Sequence, residues 1–330
     1  MVARPTIMEP NFDSVLHPAQ PGRSAELEIR LKVALLPRDP SKPGDPAGTT
    51  HHTHLAVNMG EVRRGRVRDS AGLLYACRSW LAPEFNAYCI KFKRMVELSW
   101  NNQLILLPPD GSRPGDSMMS DAAYLEFVSR PDFAAHLRCS LDIQLIPVGT
   151  TKTHAVMEVV KLEKPAREQH ASLNGFGSFA ALLCDEDVDF APTKRSLVQV
   201  TAAHEVGHWL GRPVALFKGG TINTDRMRQH IDFETCSADP NYVPGSDCEY
   251  GNTLSEQMGL LSVGQLVTEY EARPWLNRAR RHTKALFGWN FVHRIDFNNH
   301  AVPISDRQKR LTAGTTSRKP AGQPGQPARP

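Results

Sequence analysis

The chain has 330 residues, of which 40% are apolar and 22% charged, a composition that allows a packed core. The net charge of +4 is small, and no basic stripe is interleaved with aromatic residues, so nucleic acid is not expected as a partner. No apolar run approaches the roughly 18 residues that span a bilayer, and no signal peptide is evident, so we expect no membrane partner and a location in the cytoplasm or export by a leaderless route.

The first half of the chain contains two elements with clear periodicity. Residues 1–23, rich in proline and polar residues, are predicted to form an irregular arm. Apolar and charged residues then alternate over 26–35, which predicts a half-buried β-strand. Apolar residues at helical spacing predict a helix over 84–99. A short strand at 104–107 and a helical segment at 120–137 follow.

The second half alternates strands and helices before a polar end. Strands are predicted at 139–145, 156–162 and 178–184. A helix is predicted from Arg273, and a last strand at 289–297. The strand at 178–184 is apolar on both faces, which is typical of a buried position in a sheet. Residues 305–330 are aromatic-free and rich in basic residues, glycine and proline, and are predicted to be a disordered tail.

One further helix carries the residues with the clearest chemistry. Ser196 and Gln199 have the spacing of a capping box, which predicts the start of a helix. Gly211 suits the position just after a helix end. The expected helix, 197–210, contains the run His204-Glu205-Val206-Gly207-His208.

This run has the spacing of a catalytic zinc site. His204 and His208 lie one turn apart on the same helix face, so both imidazoles can bind one metal ion. A bound zinc ion acidifies water and polarises a scissile carbonyl. Glu205 can take the proton of that water and pass it to the leaving amine, as a general base and then acid. The pattern predicts hydrolysis of peptide bonds; the plain alternative is a buried helix whose histidines bond to backbone carbonyls.

The run HEVGHWLG at 204–211 resembles the zinc helix of the metzincin peptidases, whose motif is HExxHxxGxxH followed by a Met-turn. Residues 254–259, LSEQMG, are similar to the segment that leads into a Met-turn, which implies that Met258 lies under the zinc. Residues 272–283 look like the closing helix of bacterial relatives. The resemblance spans roughly 84–285 and implies a metzincin-like α+β fold, with a twisted mixed sheet, helices and the active-site helix at the floor of a cleft.

The resemblance also implies the domain organisation and the partners. We expect a metallopeptidase-like domain over 24–304, with an N-terminal subdomain to about 211 and a C-terminal subdomain at 212–304. The expected cofactor is Zn²⁺. The expected substrate is a protein or peptide that lies extended along an exposed strand edge.

One position departs from the metzincin motif. The third ligand is expected at position 214, where this chain has Val214, and a catalytic zinc site usually has three protein ligands and a water. We favour His230 as the replacement, because a neutral imidazole binds zinc well. The other candidates are Asp225, Asp232, Cys236, Glu256 and Glu269. If none serves, the chain is a catalytically degenerate binding module.

Two features lie outside the zinc motif. The acidic run 185–189 could hold a calcium ion, but a solvated turn is the simpler interpretation, since it lacks the spacing of a helix–loop–helix calcium site. Cys236 and Cys248 bracket a loop rich in proline and glycine, which favours them as a local disulfide pair. The alternative is that the six cysteines are buried thiols.

Overall fold

The computed structural model of the protein describes residues 6–8, 11–18, 25–39, 65–68, 73–107, 136–164, 180–193, 197–211, 214–215, 221–222, 238, 240, 247–251, 253–283 and 289–293. These belong to a compact unit that spans Met1–Arg294. A second unit, Ile295–Pro330, lies outside the described residues, and so do the predicted tail and most of the predicted helix at 120–137. None of the described helices combines the length and the apolar character needed to cross a membrane.

Five strands precede the first helix of the described chain. In order, the elements are β1 (Thr6–Ile7), β2 (Asp13–His17), β3 (Glu26–Pro37), β4 (Arg66–Arg68), β5 (Leu74–Arg78), α1 (Ala82–Trp100), β6 (Leu104–Leu107), β7 (Leu137–Leu145), β8 (Ala155–Leu162), β9 (Ala180–Cys184), β10 (Phe190–Pro192), β11 (Val198–Val200), α2 (Thr201–Leu210), β12 (Val214–Ala215), β13 (Thr221–Ile222), α3 (Leu254–Gln257), α4 (Arg273–Thr283) and β14 (Asn290–His293). The predicted strands, and the predicted helices over 84–99 and from Arg273, are confirmed with shifts of a few residues at the ends that the structure describes.

The centre of the fold is a mixed sheet in the order β14-β6-β7-β3-β8-β5-β4, with β2 paired to β3 and β9 to β8. Strand β3 runs parallel to both β7 and β8, and β8 runs parallel to β9. Leu27, Ile29, Leu31 and Val33 of β3 are fully buried. The alternation that predicted this strand therefore marks its core face. The fold is α+β; its kinship to metzincins stays a prediction.

The N-terminal arm differs from the prediction of irregular structure. Strand β2 pairs antiparallel with β3, and β1 pairs with β2. Phe12, Val15 and Leu16 are buried, and Lys32 of β3 donates to the Asp13 carboxylate at 2.5 Å. The prediction failed because β2 is short and set among prolines, and its pairing partner becomes apparent only in three dimensions. Part of the arm is thus a component of the sheet.

Helix α1 connects the sheet to the zinc-motif helix. Its residues Tyr88, Phe92 and Val96 are buried in the core. At its end, the Trp100 indole N–H donates to the Ala203 carbonyl of α2 at 3.0 Å. The same indole stacks on Trp275 of α4, with ring centroids 5.6 Å apart. Trp100 therefore joins three helices at one point.

Candidate metal centre

Helix α2 begins at Thr201 rather than at residue 197. The residues just before it form β11, which pairs antiparallel with β10, because the β-branched Val198 and Val200 favour extended backbone. No side chain caps the helix at Val200. Instead, the Ala202 N–H donates to the Asp187 carbonyl at 2.9 Å. The predicted capping box is therefore wrong, and a tertiary contact satisfies a donor of the first turn.

The acidic run 185–189 supplies that contact. Asp187 is buried, while the carboxylates of Asp185 and Asp189 form ion pairs with Lys161 and Lys91 respectively. Within the described part of the chain, these carboxylates form no cluster of the kind that holds a metal ion. The calcium alternative has no support here, and the run acts as a turn against the start of α2.

The two histidines of the zinc motif converge. The Nε2 atoms of His204 and His208 lie 3.1 Å apart, and the rings meet edge to face with centroids 4.8 Å apart. Two nitrogens bound to one tetrahedral zinc at about 2.0–2.1 Å would be about 3.3 Å apart. Both side chains are buried. The prediction that the two ring nitrogens lie within about 4 Å is confirmed.

The other nitrogen of His204 faces a backbone carbonyl. Nδ1 lies 2.9 Å from the Leu260 oxygen. The Gln199 amide nitrogen also lies 3.3 Å from Nδ1, but the Leu260 oxygen is nearer. A carbonyl can only accept, so Nδ1 carries the hydrogen and the neutral ring has its lone pair on Nε2, the atom that faces His208. A metal-binding histidine commonly has this arrangement, with a carbonyl that fixes the tautomer. The 3.1 Å between the Nε2 atoms also suits a hydrogen bond in which His208 Nε2–H donates to the lone pair of His204.

Glu205 completes the group. The ligand atoms of His204, Glu205 and His208 all lie within 4.8 Å of one another, and no other such group of three occurs among the residues that the structure describes. Glu205 is buried, with 4% of its surface exposed. Two imidazole nitrogens fit a zinc ion, and the carboxylate beside them lies where a general base for a metal-bound water is needed.

The segment predicted to be a Met-turn borders His204. Helix α3 ends at Gln257, and Met258 is its C-cap residue. The Leu266 N–H donates to the Met258 carbonyl at 2.9 Å, which closes a loop over 258–266. Leu260, the partner of His204 Nδ1, lies in this loop. The contact to the histidine is thus made by a backbone carbonyl, and the position of Met258 under the metal stays a prediction.

The candidates for a third ligand divide into two sets. Glu256 accepts from the Thr253 N–H at 2.9 Å and caps α3, and Glu269 is exposed; neither belongs to the group around His204. His230, Asp225, Asp232 and Cys236 lie outside the described residues, so His230 stays a prediction. Val214 forms part of β12, paired with Ile222 of β13.

One of the two predicted disulfide cysteines is described. Cys248, in the 3₁₀ turn Asp247–Tyr250, is disulfide-bonded. Its predicted partner, Cys236, lies outside the described residues. The other four cysteines are free thiols, namely Cys77, Cys89, Cys139 and Cys184. Burial raises the pKa of Cys77 to about 12, so this thiol is unreactive at neutral pH.

Sequence reasoning missed two contributors to the site. The carbonyl of Leu260 carries no signal, because every residue has one. Gln199 was interpreted as part of a capping box, yet its amide Nε2 lies 3.0 Å from that same carbonyl. Its position shortly before the zinc motif was the available signal.

Comparison of the chain with protein-family models, with curated proteins and with solved structures gives no match in any of the three. The interpretation of the site therefore depends on its own geometry and chemistry.

Proposed function

We propose that the chain is a zinc-dependent endopeptidase. The observation that carries the proposal is the convergence of the His204 and His208 Nε2 atoms at 3.1 Å beside a buried Glu205. The lone pair of His204 is already directed to that point by the hydrogen bond from Nδ1 to Leu260. Two neutral imidazoles suit zinc, which also has no redox chemistry to interfere with hydrolysis.

Each residue of the group has one role in this mechanism. His204 and His208 would hold the metal, together with a third protein ligand for which His230 is the candidate. When bound, zinc supplies a Lewis acid that activates water and polarises the scissile carbonyl. Glu205 takes the proton from the attacking water and later donates it to the leaving amine. No covalent intermediate with the protein is required.

The rival function is a catalytically degenerate binding module. It is favoured by Val214 at the usual ligand position and by the group itself, which gains no further histidine, cysteine or carboxylate from the described residues. Two imidazoles alone would hold zinc weakly, because protons compete for the same nitrogens.

Zinc content and peptide cleavage distinguish the two functions. We expect wild-type protein to contain about one zinc per chain by elemental analysis and to cleave an unstructured protein such as casein. Glu205→Gln keeps the size of the side chain but cannot accept the proton, so it should retain zinc and lose cleavage by at least about 100-fold. His208→Ala should lose both.

The opposite results are equally informative. Wild-type protein that takes up no zinc from a zinc-containing buffer would contradict the enzyme and support the binding module. Zinc-loaded Glu205→Gln that cleaves as fast as wild type would remove Glu205 from the mechanism. Glu256→Gln is the matched control, because Glu256 is an acidic cap outside the group.

A further inference from the structure

Three backbone carbonyls of the 258–266 loop converge on the side chain of Gln199. Its Nε2 lies 3.0 Å from the Leu260 oxygen, 3.0 Å from the Ser262 oxygen, 3.3 Å from the Gly264 oxygen and 3.3 Å from His204 Nδ1. The two hydrogens of the amide suit the two carbonyls at 3.0 Å. The Leu260 oxygen is also the acceptor for His204 Nδ1. One carbonyl is therefore shared by the amide of Gln199 and by a predicted metal ligand.

We propose that Gln199 is a positioning residue for the metal centre: its amide holds the Leu260 carbonyl in the orientation that keeps the hydrogen of His204 on Nδ1 and the lone pair on Nε2. The inference deepens the proposed zinc site and rests on it. It assigns to Gln199 a role in metal affinity that neither capping nor core packing would give it.

The electrostatics of the loop explain why the amide is needed. Three carbonyl oxygens directed at one point repel one another unless a donor lies between them. In the described part of the chain, the donors to the Leu260 oxygen are Gln199 Nε2 and His204 Nδ1. Without the amide, the peptide group is expected to rotate away from the shared point. His204 would then lose the acceptor that fixes its tautomer.

Other side chains hold different parts of the same loop. Glu271 is fully buried and accepts from the Leu261 N–H at 3.0 Å and the Thr268 N–H at 2.8 Å. Gln103 donates to the Gln265 carbonyl at 2.9 Å and accepts from the Val267 N–H at 2.9 Å. Neither touches the Leu260 carbonyl. Gln103 is therefore a matched control, an amide that fixes the loop without acting on His204.

The first test is a zinc titration of the full chain against a chromogenic chelator. Gln199→Leu removes the amide and keeps a similar volume, and we expect zinc affinity to fall by about 10- to 100-fold, as for other supporting partners of metal ligands. Gln199→Glu, which cannot donate to carbonyls, should bind at least as weakly. Gln103→Leu should stay within about twofold of wild type.

The second test records the tautomer of His204 in the metal-free protein. Nitrogen-15 chemical shifts should show the Nδ1–H form in wild type, with the signals assigned by their loss in His204→Asn. In Gln199→Leu we expect a mixture of the two tautomers. This readout does not require zinc binding, and a residue that only stabilised the fold would not change it.

Equal zinc affinity in Gln199→Leu and wild type, with the same tautomer, would overturn the inference. Equal weakening by Gln103→Leu would also overturn it, because general loosening of the loop would then explain the effect. If wild type binds no zinc, the proposed function fails, whereas the tautomer comparison still decides the role of Gln199. If Gln199→Leu does not fold, as judged by circular dichroism, Gln199→Glu provides the same comparison.

Discussion

At the scale of single residues, the candidate site depends on tight packing against helix α2 as much as on the chemistry of its metal ligands. Gly207 lies between the two histidines, and a Cβ placed there would be 2.6 Å from Leu261 Cδ2 and 3.0 Å from the Trp100 ring. A side chain at this position would therefore force the buried Leu261 or Trp100 side chain to move.

Gly207→Ala tests this close approach. Alanine favours an isolated helix by about 1 kcal/mol over glycine, so a purely local effect would stabilise the protein. We expect the opposite, a loss of about 1–3 kcal/mol in the free energy of unfolding, because the methyl group displaces Leu261 or Trp100. Urea denaturation measures the change. Ile90→Ala, at an exposed position of helix α1, should differ little from wild type. A stabilised Gly207→Ala would contradict the packing argument.

At the scale of elements, helix α2 is placed by its neighbours rather than by its own ends. The Asp187 carbonyl satisfies a donor of its first turn, and Trp100 of helix α1 donates to its Ala203 carbonyl. The two contacts approach α2 from different parts of the chain. A ten-residue helix without side-chain caps would be marginal by itself, so its tertiary neighbours account for its stability.

Trp100→Phe should weaken this placement. Phenylalanine can keep part of the stacking on Trp275 but cannot donate to Ala203, so we expect a loss of about 1 kcal/mol in unfolding free energy together with weaker zinc binding. Trp80→Phe is the control, because the Trp80 indole makes the same kind of bond to the Val159 carbonyl, away from α2. It should cost similar stability without changing zinc affinity. Equal zinc affinities in both variants would refute a role for α1 in placing the site.

At the scale of the whole molecule, strand β2 and the last described helix, α4, are joined through a buried histidine. The Nε2 atom of His282, in α4, lies 3.0 Å from the Ser14 hydroxyl of β2. Burial, with the nearby Arg278 and Arg281 charges, lowers the pKa of His282 to about 4. The folded protein therefore holds this ring neutral at pH values at which the unfolded chain protonates it.

This linkage predicts sensitivity to mild acid. His282 binds its proton near pH 6.5 in the unfolded chain but only near pH 4 in the folded protein. Its contribution to the free energy of unfolding is therefore complete above pH 6.5 and is lost as the pH falls from 6.5 to 4. The loss is up to about 3 kcal/mol. Urea denaturation of wild type and His282→Gln over pH 4–7 isolates the effect, and the variant should show a shallower decline. Parallel curves would contradict the lowered pKa.

The cysteines give a second prediction for the whole chain. Of its six cysteines, four are free and Cys248 is disulfide-bonded, and Cys236 is its predicted partner. A thiol reagent should therefore detect four thiols in protein that is unfolded without reduction, and six thiols after reduction. Six thiols before reduction would exclude the disulfide. Cys236→Ser should expose one additional thiol, because Cys248 then has no partner.

The sequence alone determined the elements and residues that depend on local pattern. Alternation of apolar and charged residues predicted β3, because a strand with one core face must alternate with period two. Helical spacing predicted α1. The i, i+4 spacing predicted that His204 and His208 would converge, since a helix places such residues on one face.

Only the tertiary structure decided the features that join distant parts of the chain. The pairing of β2 with β3, the start of α2 against the Asp187 carbonyl, and the Leu260 carbonyl at His204 all depend on backbone groups. Every residue carries these groups, so they leave no mark in the sequence. Gln199 shows the same limit for a side chain, because its spacing to Ser196 favoured a local cap while its partners lie some sixty residues further along the chain. An amide bonds to whichever carbonyls the fold brings near it, and that choice is made by packing.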